Sequence, residues 1–314
     1  MTGFQTATYA LQAPGIAGDF ASANPRAVLL SSQIYNSTGI AAGPNGLTVG
    51  LFAWLDPSTL SVANNYGPSM PNGFVGNSHQ ALITTYLTQY GMTIPAGFPA
   101  ADIYDAGDFF IVNNGSTIAQ PGMKAYANNL TGVASFAATG NPTVGATSTA
   151  STIAAGTASV TASITDNVMT VTAVGSGTLY AGSILSGTSV ASGTSIVSQL
   201  TGTTGGIGTY QVTPRDQTVA STTVSTTYGL LTVGGTVTGT YAVGETVYGS
   251  GVSSGTVITA FGTGTGGAGT YIVNLTQTVS SEAINTYSTT ETLWYCRSFG
   301  QPGDVVKISS RAMG

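Results

Sequence analysis

The chain has 314 residues, of which only 5% are charged: six Lys and Arg stand against eleven Asp and Glu, for a net charge of -5. That length suits two or three folding units, and so few cations exclude the clustered basic face that nucleic acid needs. No run of about 18 apolar residues is available for a membrane helix, and 42% hydrophobic residues weigh against disorder.

What remains is a β-rich protein whose surface relies on hydroxyls and amides. Trp54 and Trp294 are the only tryptophans, too few for the aromatic girdles of an outer-membrane barrel. The first residues, Met1-Thr-Gly-Phe-Gln, show neither a basic start nor an apolar signal core. Cys296 is alone, so no disulfide can form within the chain.

In chain order, residues 1–140 predict short strands punctuated by Gly, Pro and Asn: Ala27–Ser31, Leu47–Leu55, Gln80–Leu87, Gly107–Asn113 and Met123–Ala127. Along Leu47–Leu55 both faces are apolar, as in a strand covered on both sides. Pro95-Ala-Gly-Phe-Pro99 reads as a rigid turn. Residues 141–163 are low in complexity and read as a linker or extended arm.

A tandem repeat follows at a spacing of about 60 residues. Val190-Ala-Ser-Gly-Thr-Ser-Ile196 matches Val252-Ser-Ser-Gly-Thr-Val-Ile258, and Thr204-Gly-Gly-Ile-Gly-Thr-Tyr210 matches Thr265-Gly-Gly-Ala-Gly-Thr-Tyr271. The copies are expected over residues 164–227 and 228–288, each a small barrel-like unit. Strands in the first are expected at Val168–Val174, Ser183–Leu185, Ser195–Leu200, Thr209–Val212 and Val219–Thr226. Domains this small are marginal alone, so the copies should pack on one another or on a neighbour. Charge and aromatics return in Glu291–Arg297 and Asp304–Ser309, two strands around the Pro302-Gly303 turn. The expected architecture is all-β, a sandwich or barrel built from residues 1–140 and 289–314, with the two repeats inserted at an exposed loop.

Candidate chemistry is thin. His79 is the only histidine and no Gly-x-Ser-x-Gly elbow accompanies it; one His and one Cys cannot make a zinc site. Asp102, Asp105 and Asp108 could hold a cation, but their spacing differs from a calcium loop and no closing Glu follows, which favours a solvated turn. Gly264-Thr-Gly-Gly-Ala-Gly269 satisfies a dinucleotide pattern but is followed by the strand-like Thr-Tyr-Ile-Val-Asn, where pyrophosphate binding needs a helix. No catalytic, cofactor or metal site is expected.

One resemblance covers both flanks. The stretches Pro14–Arg26, Gly46–Trp54, Gly73–Val75, His79–Leu87, Met92–Pro99, Ala106–Phe109, Gly122–Tyr126 and Phe136–Thr139, with Pro302–Ser309 at the far end, resemble the bacteriophage structural cement, or capsid decoration, family. The resemblance implies a non-enzymatic protein on the outer capsid surface that bridges major capsid protein subunits and assembles as a dimer or trimer. The repeats depart from that family's pattern. In this reading the segment Met1–Asn24 is an arm lying between capsomers, and Phe4, Tyr9, Phe20 and Arg26 are the candidate capsid contacts, Arg26 pairing with a carboxylate. Pairing of Arg26 within its own unit is the competing expectation. The rival functions are glycan binding by the repeats, with Tyr180, Tyr210, Tyr241 and Tyr271 as stacking faces, and a polysaccharide-degrading enzyme, for which the repeats supply only Asp166, Asp216, Glu245 and Glu282.

Overall fold

The computed structural model describes residues 15–29, 39–56, 61–67, 70–77, 92–100, 102–213 and 216–311. Phe4, Tyr9, His79 and the expected strand Gln80–Leu87 lie outside the described residues. Among the described residues there is no helix, and the fold is all-β.

The two chain ends are woven into two sheets. The first runs, edge to edge, through Ala27–Val28, Ile103–Ala106, Gly73–Val75, Phe52–Leu55, Val62–Asn64 and Ala41–Ala42. The second runs through Ala134–Ala137, Lys124–Asn128, Thr289–Cys296, Val305–Ser309 and Asp108–Val112. The late strands therefore sit between early ones, as Lys307↔Phe110 and Tyr126↔Glu291 show. One core joins both sheets: Phe52, Trp54, Phe74 and Tyr104 from the first meet Phe109, Ile111, Phe136, Trp294, Val306 and Ile308 from the second. Its rings interlock, with Phe109 5.1 Å from Phe74 and 5.6 Å from Trp294.

The expected strand Leu47–Leu55 is interrupted. Leu47–Thr48 and Phe52–Leu55 are separate strands, because Gly50 adopts φ 81 against Ala17, a conformation open to glycine. Its two-sided burial is real, since Phe52, Ala53 and Trp54 are all buried. Gln301-Pro-Gly-Asp304 closes a turn with Asp304 N–H donating to Gln301 O at 2.9 Å.

The largest departure from expectation falls on residues 141–163. They are no linker: Val144–Asp166 is a 23-residue strand, with a second 23-residue strand, Gln217–Gly239, beside it. The two pair from Ala146↔Gly239 to Asp166↔Gln217, and each could extend to about 75 Å. Ala146, Ser148, Ser151, Ile153, Ala158, Val160, Ala162 and Ile164 point inward, so alternating small residues serve as a core face. Around the far half, Val168–Ser176, Gly208–Thr213, Ser195–Gly202 and Ile184–Gly187 pair in succession from one long strand to the other, closing a ring. Around the near half, Gly269–Val273, Ile258–Phe261, Thr246–Tyr248 and Val279–Tyr287 do the same, with Thr246↔Val257 completing the circuit. Each ring has its own core. Matching bonds recur in the two: Thr194 Oγ1 donates to Ala191 O and Thr256 Oγ1 to Ser253 O, while Tyr210 Oη donates to Gly206 O and Tyr271 Oη to Gly267 O.

Candidate functional site

Residues 15–29 carry two of the four expected contact residues, Phe20 and Arg26, and the structure shows how this stretch is held. Gly18 N–H donates to Phe110 O (2.8 Å), Phe110 N–H to Asp19 O (2.9 Å) and Ala21 N–H to Asp108 O (3.0 Å). This zips residues 18–21 along the otherwise free edge of Asp108–Val112, satisfying donors that an edge strand leaves open. Gly18 sits at φ 93 against Val49, where a Cβ would collide. Further along, Ala27–Val28 joins the other sheet through Ile103–Ala106, so the segment spans the seam between the sheets.

Phe20 is half-buried at this seam, its ring 5.3 Å from Phe109 and 5.6 Å from Tyr104. Arg26 is exposed and its guanidinium lies 3.7 Å from the Phe20 ring centroid. The two residues thus act together, Phe20 as the platform and Arg26 as the charge displayed on it. No ion pair joins Arg26 to a carboxylate among the described residues. Burial pushes the Tyr104 hydroxyl upward, aided by the neighbouring Asp102 carboxylate, while Arg26 acts in the opposite sense.

The three aspartates do not form a shared site. Asp105 is exposed, Asp102 lies 3.5 Å from the Tyr104 hydroxyl, and Asp108 is buried. Among the described residues no group of three His, Cys, Asp or Glu is placed to hold a metal ion. The expected solvated turn is corrected at Asp108, which begins a strand and serves as a clasp. Its Oδ2 accepts from Ser22 Oγ (2.6 Å) and Asn24 Nδ2 (2.7 Å), with Lys307 Nζ at 3.4 Å. Burial alone would raise this carboxyl; hydrogen bonds from Ser22, Ser309 and Asn24 and the Lys307 ammonium outweigh it and hold it at about 2.

Around this clasp the fold gathers cations that are far apart in sequence. Arg311 Nη2 donates to Pro25 O at 2.9 Å, and Arg297 Nη2 donates to Arg311 O. With Arg26 and Lys307, four of the six Lys and Arg of the chain stand at one edge. The three arginines meet a ring and neutral carbonyls, and of these four cations only Lys307 meets a carboxylate among the described residues. Exposed apolar side chains are on the same unit: Phe299 (73% exposed), Leu293 (58%) and Val28. Arginine beside aromatic and aliphatic surface is the composition of a protein-binding face rather than a reaction centre. The sequence alone suggests Phe20 and Arg26 as contacts and gives no local reason to group Arg297, Lys307 and Arg311 with them. Their scarcity elsewhere was the available signal.

The proposed stacking faces of the repeats are mostly closed. Tyr210, Tyr241 and Tyr271 are fully buried core residues, with hydroxyls bonded to the carbonyls of Gly206, Ile284 and Gly267, so they cannot receive a sugar. Tyr180 is half-buried, 5.2 Å from the Tyr228 ring. Gly264–Gly269 is the loop between the strands Ile258–Phe261 and Gly269–Val273, without a helix to hold a phosphate. Among the described residues no helix is long and apolar enough to cross a membrane.

Neither the curated proteins nor the solved structures yield a match. Over residues 4–170, more than half of its length, the chain matches the XM1 gp53 minor capsid protein family, a span that contains Phe20, Arg26 and Asp108 with its partners Ser22 and Asn24; the chain belongs to that family and is a phage capsid-associated structural protein.

Proposed function

We propose that the chain is a non-enzymatic cement protein that binds the outer surface of an assembled capsid and bridges major capsid protein subunits. The unit built from residues 1–140 and 289–314 binds the shell, with Phe4, Tyr9, Phe20 and Arg26 as contacts and Arg297 and Arg311 beside them. The two ring-closed units are a tandem duplication that projects away on the paired long strands, and the protein assembles on the shell as a homo-oligomer. The observation that carries this reading is the edge where Arg26, Arg297 and Arg311 stand, without carboxylate partners among the described residues, on a unit with exposed apolar side chains. Such groups gain most when a partner supplies bidentate carboxylates.

The test is reconstitution on heads stripped of the protein. Rebinding should restore heat resistance, and Arg26→Ala should weaken rebinding by about tenfold or more, with a loss that shrinks as salt rises. Stripped heads that are as heat-resistant as complete ones would refute the cementing role, and unchanged rebinding of Arg26→Ala would refute the contact.

A further inference from the structure

A cleft of about 540 Å³ opens where the near ring meets the five-stranded sheet. Tyr126 and Glu291 line it from the sheet, Met70 from a neighbouring loop, and Thr246, Tyr248 and Tyr287 from the ring. Its size falls within the ordinary range for small-ligand sites. Tyr248 is 45% exposed, and the Tyr287 ring braces it at 4.6 Å and 69°. The ring plane is therefore fixed while much of the residue stays open to solvent.

The carboxylate in this cleft is half occupied. Glu291 Oε2 accepts from Tyr126 Oη (2.9 Å) and Gly140 N–H (2.7 Å), whereas among the described residues Oε1 has only Lys124 Nζ at 3.8 Å. Lys124 itself is engaged, donating to Thr292 O and lying 3.9 Å from the Tyr295 ring centroid. Oε1 therefore keeps acceptor capacity, and the lining offers an anion no free cation. Thr246 and Ser254 add hydroxyls to the lining that a purely apolar ligand would strand, whereas Thr289 and Thr290 are engaged by Thr143 N–H and Asn129 Oδ1.

The far ring provides an internal control. Strand register places Ile184 opposite Thr227 and Ser186 opposite Ser225, while in the near ring Thr246 stands opposite Tyr287 and Tyr248 opposite Asn285. Ser186 and Thr227 thus occupy the positions of Tyr248 and Tyr287. The buried Tyr210 and Tyr271, by contrast, stand at matching positions in both rings. The same architecture forms without the exposed aromatic pair, so folding does not require it. The pair occurs in the ring that abuts the sheet, where the cleft exists.

We propose that this cleft binds a neutral oligosaccharide, with Tyr248 as the stacking platform and Glu291 Oε1 accepting hydrogen bonds from ring hydroxyls. The electron-rich ring face favours the C–H edge of a sugar, and a carboxylate oxygen with open lone pairs suits adjacent hydroxyls. This would add recognition of a cell-surface glycan to a capsid-associated protein, and it does not depend on the shell-binding reading.

Saturation-transfer NMR on the full-length chain tests it, with chitotetraose, cellotetraose and maltotetraose as probes at millimolar concentration. Magnetisation should pass to at least one of them. It should fall by about tenfold or more in apparent affinity in Tyr248→Ser, which installs the residue the far ring uses and should leave the thermal midpoint unchanged. No transfer to any probe, or equal transfer in Tyr248→Ser, overturns the proposal. Heat resistance of heads reconstituted with Tyr248→Ser is the separate readout for cementing and should be that of wild type.

Discussion

Asp108 is the point at which the fold of the unit built from both chain ends can be probed most sharply, through Asp108→Asn. A carboxyl held at about 2 instead of 3.8 corresponds to about 2 kcal/mol of stabilisation at neutral pH. Asparagine keeps one acceptor oxygen for Ser22 or Asn24 but loses the charge. Lys307 is partly exposed, with 30% of its side chain accessible, so leaving it unpaired adds little. Because the folded carboxyl is depressed, its contribution is complete above the ordinary carboxylate range and is lost as pH falls from about 4 to about 2. The variant has no such carboxyl. The gap between wild type and Asp108→Asn should therefore be about 2 kcal/mol at neutral pH and close in acid. Trp54 and Trp294 both lie in the core shared by the two sheets, so tryptophan emission during urea unfolding reports on this unit. A gap below about 0.5 kcal/mol at neutral pH, or one of equal size near pH 2, would refute the assignment of Asp108 as a charged clasp.

Two further predictions concern the near ring. Tyr271→Phe leaves the buried Gly266 N–H and Gly267 carbonyl without the hydroxyl they share, and should cost about 1–3 kcal/mol by far-UV circular dichroism melting; Tyr210→Phe, which frees only the Gly206 carbonyl, should cost less. Glu245 is buried, and burial pushes its carboxyl up despite hydrogen bonds from Thr286 Oγ1 and Ala242 N–H. The folded state therefore holds that proton more tightly, and stability drops as pH rises through the raised value. Glu245→Gln should melt at or above wild type at neutral pH, with the difference shrinking near pH 4; a variant weaker than wild type only at neutral pH would contradict this.

Much of this protein was legible from its residues alone. Strands such as Asp108–Val112, Lys124–Asn128 and Val305–Ser309 follow from β-branched and aromatic runs bounded by turn residues, and the all-β class follows from their number. The return of aromatics after residue 288 signalled that the chain end rejoins the first unit, as the register Lys307↔Phe110 shows. Phe20 and Arg26 stand out in the sequence as candidates, but their stacking on one another does not, and Arg297, Lys307 and Arg311 are brought to the same edge only through folding. The decisive tertiary contribution lies at residues 144–166. Alanine, serine and threonine in alternation carry little local preference, and their composition is that of a flexible spacer. Flanking strands on both sides pair their backbone groups and cover Ala146, Ser148, Ser151, Ala158 and Ala162 with apolar neighbours. Burial against distant partners, absent from any local window of sequence, is what turns that spacer into the spine of two closed rings.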